Sequence, residues 1–311
     1  SVRDYTDAAC TAIVRRAIGT EAVPFAIRNI SPWTMTPQVA EHYRANRCFL
    51  LGDSAHRFPP TGGLGLNTGV QDAHNLVWKL GAVERGEADA SLLDSYERER
   101  RPVAQANADV SMRNAMRLIE VYQALGTLGD PTTAADTFAA TLADPAGREG
   151  VRTAIANQAE HFDLLGLQLG FVYTDGALVP DGRARAEPAD PVRDVAPAAC
   201  VGGRLPHAWI QRDGERVSTL DCCPLDRFTL VTTISGRGWI DAVTQLDDLP
   251  IEPLVIGRDV LDPDGRWLAL LDITPEGAVL VRPDQHVAWR QSHATADATR
   301  VLRHALATIT G

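Results

Sequence analysis

The sequence predicts an α/β protein, and three patterns carry that expectation. The run RCFLLGD (47–53) is a short hydrophobic strand that stops abruptly at Gly52-Asp53 and leads through a glycine-rich loop into an amphipathic pattern. Between residues 227 and 290, RFTLVTTI and EPLVIG read as strands and GAVLVRPDQHVAWR as a hairpin, with a helix after them. Helical periodicity fills much of the rest, and a mixture of the two periods is what a layered α/β architecture requires.

Composition limits what such a chain can do. With 311 residues, 45% hydrophobic and 23% charged, it can bury a large core, and its length predicts two domains. A formal net charge of -10 argues against non-specific nucleic-acid or anionic-membrane binding, which needs a concentrated basic face. Small molecules are the expected partners. No apolar run reaches the roughly 18 residues of a membrane helix, and the first residues lack the apolar core of a secretion signal, so a cytoplasmic location is expected. Cys10, Cys48, Cys200, Cys222 and Cys223 form no CxxC and no metal-ligand spacing. Structural thiols are expected, since a bridge between the neighbours Cys222 and Cys223 would be strained.

Taken in order, the chain opens without an initiator Met on SVRDYTDAACTAIVRRAIG, where Ala8, Ile13 and Ala17 share a helical stripe and Gly19 ends it. It reads as a sequence entered partway through a larger protein. Phe25–Ile30 is expected as a strand, TPQVAEHYRANR (36–47) as a short surface helix or loop, and Cys48–Leu51 as the next strand. Leu66, Val70, Ala73, Val77 and Leu80 then recur at helical spacing, giving a helix of about five turns that ends near Gly86. From Ser91 to about Tyr122 the pattern stays helical, with Pro102 marking a break or a new first turn. The charge run ERERRP (97–102) is expected to be a solvated helix face without a function of its own. Helical patterns continue over about Thr133–Ala143 and Gly147–Leu165. Thr174–Pro206, rich in proline and glycine, reads as a domain connection. The strands, the apolar run WLALLDI and the hairpin follow, and a last helix places Ala298, Val301, Leu302, Ala305, Leu306 and Ile309 on one face.

The loop after Cys48–Leu51 is the candidate site. An acidic residue just past a strand, followed by glycines leading to a helix N-terminus, is how α/β proteins hold cofactors. Asp53 can accept hydrogen bonds from sugar-like hydroxyls. Gly62, Gly63 and Gly65 let backbone approach a flat ligand, and the free amides near Leu66 and Asn67 offer partial positive charge to a ligand atom that becomes negative. A dinucleotide fingerprint fails, because Thr68 stands where the third glycine should be, and a P-loop fails for want of GK[ST]. A serine hydrolase would use Ser54 with His56 or with the late pair Asp284 and His286, but Ser54 lacks the GxSxG elbow and the late pair faces no evident nucleophile. Metal binding by His56, Asp72 and His74 is weaker still, since helix positions i and i+2 diverge. A loop that merely turns the chain is the plain alternative.

The stretch LLGDSAHRFPPTGGLGLNTGVQDAHNLVWKL (50–80) closely resembles the second flavin-binding motif of the flavoprotein aromatic hydroxylases, the class A FAD monooxygenases of the para-hydroxybenzoate hydroxylase and phenol 2-monooxygenase type. SPWTM (31–35), LLDSYERERRPVA (92–104), FDLLGLQLGFVY (162–173), LVPDGR (178–183), GGRLPHAWI (202–210), STLD (218–221) and VLVRPDQHVAWR (279–290) extend the resemblance over almost the whole chain.

It implies that residues 1–184 are the C-terminal part of a glutathione-reductase-like FAD-binding and substrate fold with trailing helices. Residues 185–311 would be a thioredoxin-like domain that lacks CxxC and serves structure or dimer packing. It implies cofactor contacts from Gly52, Asp53, Gly62, Gly63, Gly65, Leu66 and Asn67, with Asp53 at the ribityl or phosphate region and the amides of residues 65–67 at the pyrimidine end. Pro59 and Pro60 would line the substrate side, with no acid or base assigned and no metal. The implied activity is hydroxylation of a phenolic or other aromatic ring through a flavin hydroperoxide, with FAD, NADPH or NADH and O2. The family's GxGxxG segment lies upstream of Ser1, so this chain carries half a flavin site and is expected to bind FAD weakly alone. The alternative from another class is a non-catalytic binding or assembly module built on the thioredoxin-like part.

Overall fold

The computed structural model describes residues 5–32, 36–130, 132–183 and 185–311. The chain divides into two compact units, Ser1–Thr36 and Pro37–Gly311. No helix among the described residues is long and apolar enough to cross a membrane.

In the first unit, helix α1 (Asp7–Ile18) is capped by Thr6, whose hydroxyl accepts from Ala9 N at 3.3 Å, and is closed by Gly19 at φ 75°. The expected strand at Phe25–Ile30 does not form. An apolar alternation specifies the face a strand would bury, but the ladder needs a second segment, and none pairs with these residues among those described. Phe25 lies instead under the guanidinium of Arg15, at 4.5 Å. Trp33–Met35 of the SPWTM motif fall outside the described residues, as does Ala184, where the expected domain division lies.

The second unit begins with short pairings. β1 (Gln38–Val39) meets β4 (His56–Arg57), and β2 (Arg44–Ala45) meets β3 (Cys48–Phe49) as a hairpin. The strand expected over Cys48–Leu51 is thus cut to two residues, because after a last bond from Leu50 N to Tyr43 O the chain turns away at Leu51 into the Gly52 turn. Helix α2 (Leu64–Glu84) follows, and α3 (Ser95–Ala124) runs unbroken through Pro102. The proline is tolerated because it and Arg98, whose carbonyl loses its donor, are both exposed to water. After α4 (Ala134–Ala143), the pattern expected to be one helix over Gly147–Leu165 splits into α5 (Pro145–Ala156), a 3-10 turn and α6 (Leu165–Leu169). Gln158 turns inward at the break, donating to the carbonyls of Ala154 at 3.0 Å and Arg117 at 3.1 Å.

The C-terminal part is built on a four-stranded sheet. After the hairpin β5 (Trp209–Arg212) and β6 (Glu215–Ser218) come β7 (Phe228–Thr233), α7 (Arg237–Gln245), β8 (Ile251–Ile256), α8 (Arg266–Leu271), β9 (Ala278–Val281), β10 (Val287–Gln291) and α9 (Ala298–Thr310). The run WLALLDI is therefore mostly helical. Spatial order is β10-β9-β7-β8, with β7 and β8 parallel through α7 and the other pairs antiparallel. Side-chain alternation builds two cores. Leu230 and Leu280 face α7, α9 and the far end of α2 (Trp78, Ala82), while Val231, Val279 and Val281 face Trp267 and Leu271 of α8. The sheet is covered on both faces, which is why β7 and β9 are buried at every residue.

Helix α2 departs most from its expected setting. Most of the stripe that marked it as a helix faces outward, with Leu66 79%, Val70 61% and Val77 63% exposed, while Leu80 at its end packs on the core. The opposite face, Thr68, Asp72, Asn75 and Lys79, is buried.

Candidate functional site

The loop between β3 and α2 is shaped by two close approaches. Gly52 adopts φ 57° and opens a 3-10 turn, Gly52–Ser54. Against it lies Gly69 of α2, where a Cβ would sit 3.1 Å from the Gly52 Cα, so a side chain there would press the Gly52 turn away from the helix. Ser54 closes the turn on itself, its hydroxyl donating to Leu51 O at 2.8 Å and accepting from Leu51 N at 3.1 Å. Ser54 is thus spent on the backbone of Leu51 and shows no hydrogen bond to His56, whose Nε2 meets Asp72, so the Ser54 nucleophile reading finds no serine–base pair here. Asp53 is left exposed beside an open groove shared with Gln38 and Arg57.

At the other end of the loop, Gly62 (φ 91°) and Gly63 (φ 65°) turn the chain into α2. Gly63 is the N-cap and supplies no side-chain acceptor, so the first amides, at Leu64, Gly65 and Leu66, lack intrahelical partners. A Cβ at Gly65 would meet nothing within 4 Å, and Leu66 and Asn67 are exposed, so the helix end is accessible. The Asn67 amide donates to Gly63 O at 2.9 Å and holds the turn. Pro59 is buried and Pro60 exposed, the Pro60 carbonyl accepting from Gly63 N at 3.2 Å.

Behind this loop lies a fully buried ionic network. Asp72 accepts from Gly52 N at 3.2 Å, His56 Nε2 at 2.7 Å and Arg100 Nε at 2.8 Å. Arg100 Nη1 donates to the Tyr173 hydroxyl at 3.3 Å, as does Asn75 Nδ2. Glu99 accepts from Asn75 at 2.6 Å, from Lys79 at 2.8 Å, from both terminal nitrogens of Arg282 at 2.8 Å and from Ala177 N at 2.8 Å. Arg282 also forks onto Asp284, at 2.9 and 2.5 Å. Burial alone would raise the Glu99 carboxyl, but the Arg282 guanidinium and Lys79 ammonium outweigh it and hold the group at about 2. Asp284 is likewise held well below the usual carboxylate range, burial being overcome first by Arg282. Lys79 is drawn down to about 8 by burial, against the pull of Glu99.

The expectation of a solvated face for ERERRP is therefore corrected: Glu99 and Arg100 are among the most buried charges described. Charge density along a run does not tell which residues turn inward, whereas helical phase does. Asp72, Asn75 and Lys79, spaced three and four apart opposite the apolar stripe, were the available signal. Asp72 and His56, considered for a metal, do meet, but His74 is exposed and no metal-holding cluster of three or more such residues occurs among those described. Asp284 and His286 of the hairpin are both buried and meet no nucleophile: Asp284 pairs with Arg282, and the His286 ring packs on Tyr173 at 4.6 Å. The thiols of Cys222 and Cys223 are free, buried and pushed up by burial, that of Cys223 to about 12.

Two family models match the chain: an FAD binding domain over residues 2–111 and the C-terminal region of aromatic-ring hydroxylases over residues 198–311. Among curated proteins, tetracenomycin A2 monooxygenase-dioxygenase of Streptomyces glaucescens is 36% identical over 98% of this chain and 49% of its own length. Phenol 2-monooxygenase of Pseudomonas sp. (strain EST1001) is 35% identical over 92% of this chain and 49% of its own. The solved flavin-dependent monooxygenase PieE, in complex with FAD and substrate, superposes with a TM-score of 0.85 at 36% identity, over 100% of this chain and 55% of that one. Aklavinone-11 hydroxylase, with FAD and aklavinone, gives 0.73 at 30% identity, over 100% and 52%. The chain spans about half the length of the curated relatives it matches.

Proposed function

Because this chain belongs to the FAD-dependent aromatic-ring hydroxylases, we propose that it supplies one wall of the flavin site of an NAD(P)H-using monooxygenase that hydroxylates a phenolic or polycyclic aromatic ring. The observation that carries this reading is the uncapped N-terminus of α2, a helix whose Gly69 lies against the Gly52 end of the Asp53 turn. A helix start with no side-chain acceptor leaves its amides for a ligand, and the glycines there leave room for a flat one. When bound, FAD would take reducing equivalents from NADPH or NADH and pass one oxygen atom of O2 to the ring.

In this assignment the Asp53 carboxylate accepts from hydroxyls of the ribityl chain, and Gly52 sets its angle. The amides at Gly65 and Leu66, with the helix dipole behind them, stabilise negative charge at the pyrimidine end of the reduced ring. Asn67 fixes the turn, and Gly62 and Gly63 bring the backbone close. Pro59 and Pro60 bound the substrate side, where a stiff apolar wall excludes water. None of these residues is assigned as an acid or base.

The order β10-β9-β7-β8, with one parallel pair followed by a hairpin and a helix, supports a thioredoxin-like reading of the C-terminal domain. The preceding part, taken as residues 1–184, is read as belonging to a glutathione-reductase-like fold. The exposed Leu66, Val70 and Val77 supply an apolar face for the remainder of that fold. A cytoplasmic location and a homodimer are part of the same reading.

The test compares this chain with the polypeptide extended upstream of Ser1 by its own coding sequence. The extended protein should purify yellow with one FAD and oxidise NAD(P)H in the presence of a phenol or aromatic polyketide. The short chain should retain little FAD, and Asp53→Ala in the extended protein should lose most of it. A colourless extended protein that never takes up FAD would favour a non-catalytic assembly module instead.

A further inference from the structure

The C-terminal sheet lies far along the chain from the flavin loop, yet the two are joined through buried side chains. The turn after β9 carries Arg282 and Asp284. Asp284 accepts from Asn75 Nδ2 at 3.3 Å, and Arg282 clamps Glu99 with both terminal nitrogens. Asn75 and Arg100 meet on the Tyr173 hydroxyl, Arg100 grips Asp72, and Asp72 takes the amide of Gly52 itself. Every side chain in this sequence of bonds is buried, so water does not compete for the donors.

We infer that the Arg282–Asp284 turn is a positioning element for the flavin loop: through Glu99, Asn75, Tyr173, Arg100 and Asp72 it fixes the Gly52 amide and hence the aim of Asp53. The inference rests on the functional reading above, because it gives the C-terminal sheet a role in cofactor binding. Its physical basis is that Gly52 has no side chain to resist rotation, so beyond the local bonds of Ser54 and the packing of Gly69 the acceptor that holds its amide ties the turn to the rest of the fold. Asp72 is that acceptor, and its own orientation is set by Arg100 and His56. The charges along the path also match: Asp72, Glu99 and Asp284 face Arg100, Lys79 and Arg282, with His56 and His286 at the two ends. Removing charge at the sheet end leaves Arg282 to redistribute its bonds onto Glu99, which loosens Asn75 and the members beyond it.

Two measurements on Asp284→Asn, Arg282→Lys and the control Asp248→Asn test this; Asp248 pairs with Arg303 on the surface, away from the path. The first is amide hydrogen exchange of the peptide spanning residues 48–58 in this chain, which needs no cofactor. Asp284→Asn should speed exchange there about tenfold and Arg282→Lys severalfold, with the control unchanged. The second is FAD affinity of the upstream-extended protein, where Asp284→Asn should weaken binding at least fivefold and shift the flavin absorption envelope. The milder Arg282→Lys decides the matter if Asp284→Asn fails to fold. Exchange that rises only around residues 276–292 overturns the inference, and so does unchanged FAD affinity alongside a lowered melting temperature, which would mark the network as structural support alone. An extended protein that binds no FAD sinks the functional reading, while the exchange result still decides the mechanical coupling.

Discussion

Replacing Glu99 with Gln keeps the length of the side chain but withdraws its charge from five inward donors: Lys79 Nζ, both terminal nitrogens of Arg282, Asn75 Nδ2 and Ala177 N. Three buried acids (Asp72, Glu99, Asp284) balance three buried bases (Lys79, Arg100, Arg282), so Glu99→Gln leaves one cation in excess in a region with no access to water. Breaking a buried pair from one side costs about 3–5 kcal/mol, mostly as the penalty of the unpaired charge. At about 2–4 °C per kcal/mol for a unit of this size, the melting temperature should fall by about 6–20 °C. Urea unfolding followed by far-ultraviolet circular dichroism reads the same loss as a lower midpoint at unchanged slope. Adding Lys79→Met removes the excess cation and should recover at least about 1 kcal/mol of the loss, a non-additivity expected of groups in contact. A loss below about 1 kcal/mol for Glu99→Gln, or a double variant worse than either single one, would refute the balance argument.

Acid should act through the same carboxylate. Glu99 titrates at about 2 in the folded chain against an ordinary 4.5, so its contribution, about 3 kcal/mol, is complete above pH 4.5 and is lost as pH falls toward 2; urea midpoints taken across that window should drop more steeply for the natural chain than for Glu99→Gln. Gly69→Val should weaken FAD binding in the upstream-extended protein more than tenfold, since its Cβ already crowds Gly52, and a titration by flavin fluorescence showing wild-type affinity would contradict the close-approach account. Ser54→Ala removes only the hydroxyl that closes the Gly52 turn, at a cost of about 1 kcal/mol; loss of an esterase activity in that variant would instead revive a nucleophilic role. Changing Val70 and Val77 to Lys should make this chain less prone to self-association on size exclusion, yet leave the upstream-extended protein unable to retain FAD.

The α/β class, the strands at 228–233 and 251–256, the hairpin and the last helix were legible because each rests on a local period in sequence. The loop was legible for a different reason: glycines at 52, 62 and 63 stand at positive φ, where other residues are strained, so their placement records a backbone path. What escaped were features that depend on distant partners. The 25–30 segment has strand character without a ladder, and Glu99 looks like any surface glutamate until Arg282, 183 positions later, is brought beside it. Helix α2 shows the difficulty most sharply. Its apolar stripe announced a helix correctly, yet within this chain the polar stripe is the one that packs inward, and periodicity alone does not say which of two stripes meets the protein.

That separation of 183 residues between Glu99 and Arg282 also sets a timetable. At roughly 5–20 residues added per second, the ribosome needs on the order of 10–40 s to travel from one to the other. Throughout that interval Lys79 and Glu99 have each other but neither guanidinium nor sheet, and the emerging α2 and α3 must stay open to water or wait in the hands of a chaperone. Helices α2 and α3 are thus made long before they are secured, and a nascent chain that stalls before the hairpin leaves Glu99 and Asn75 without Arg282 and Asp284.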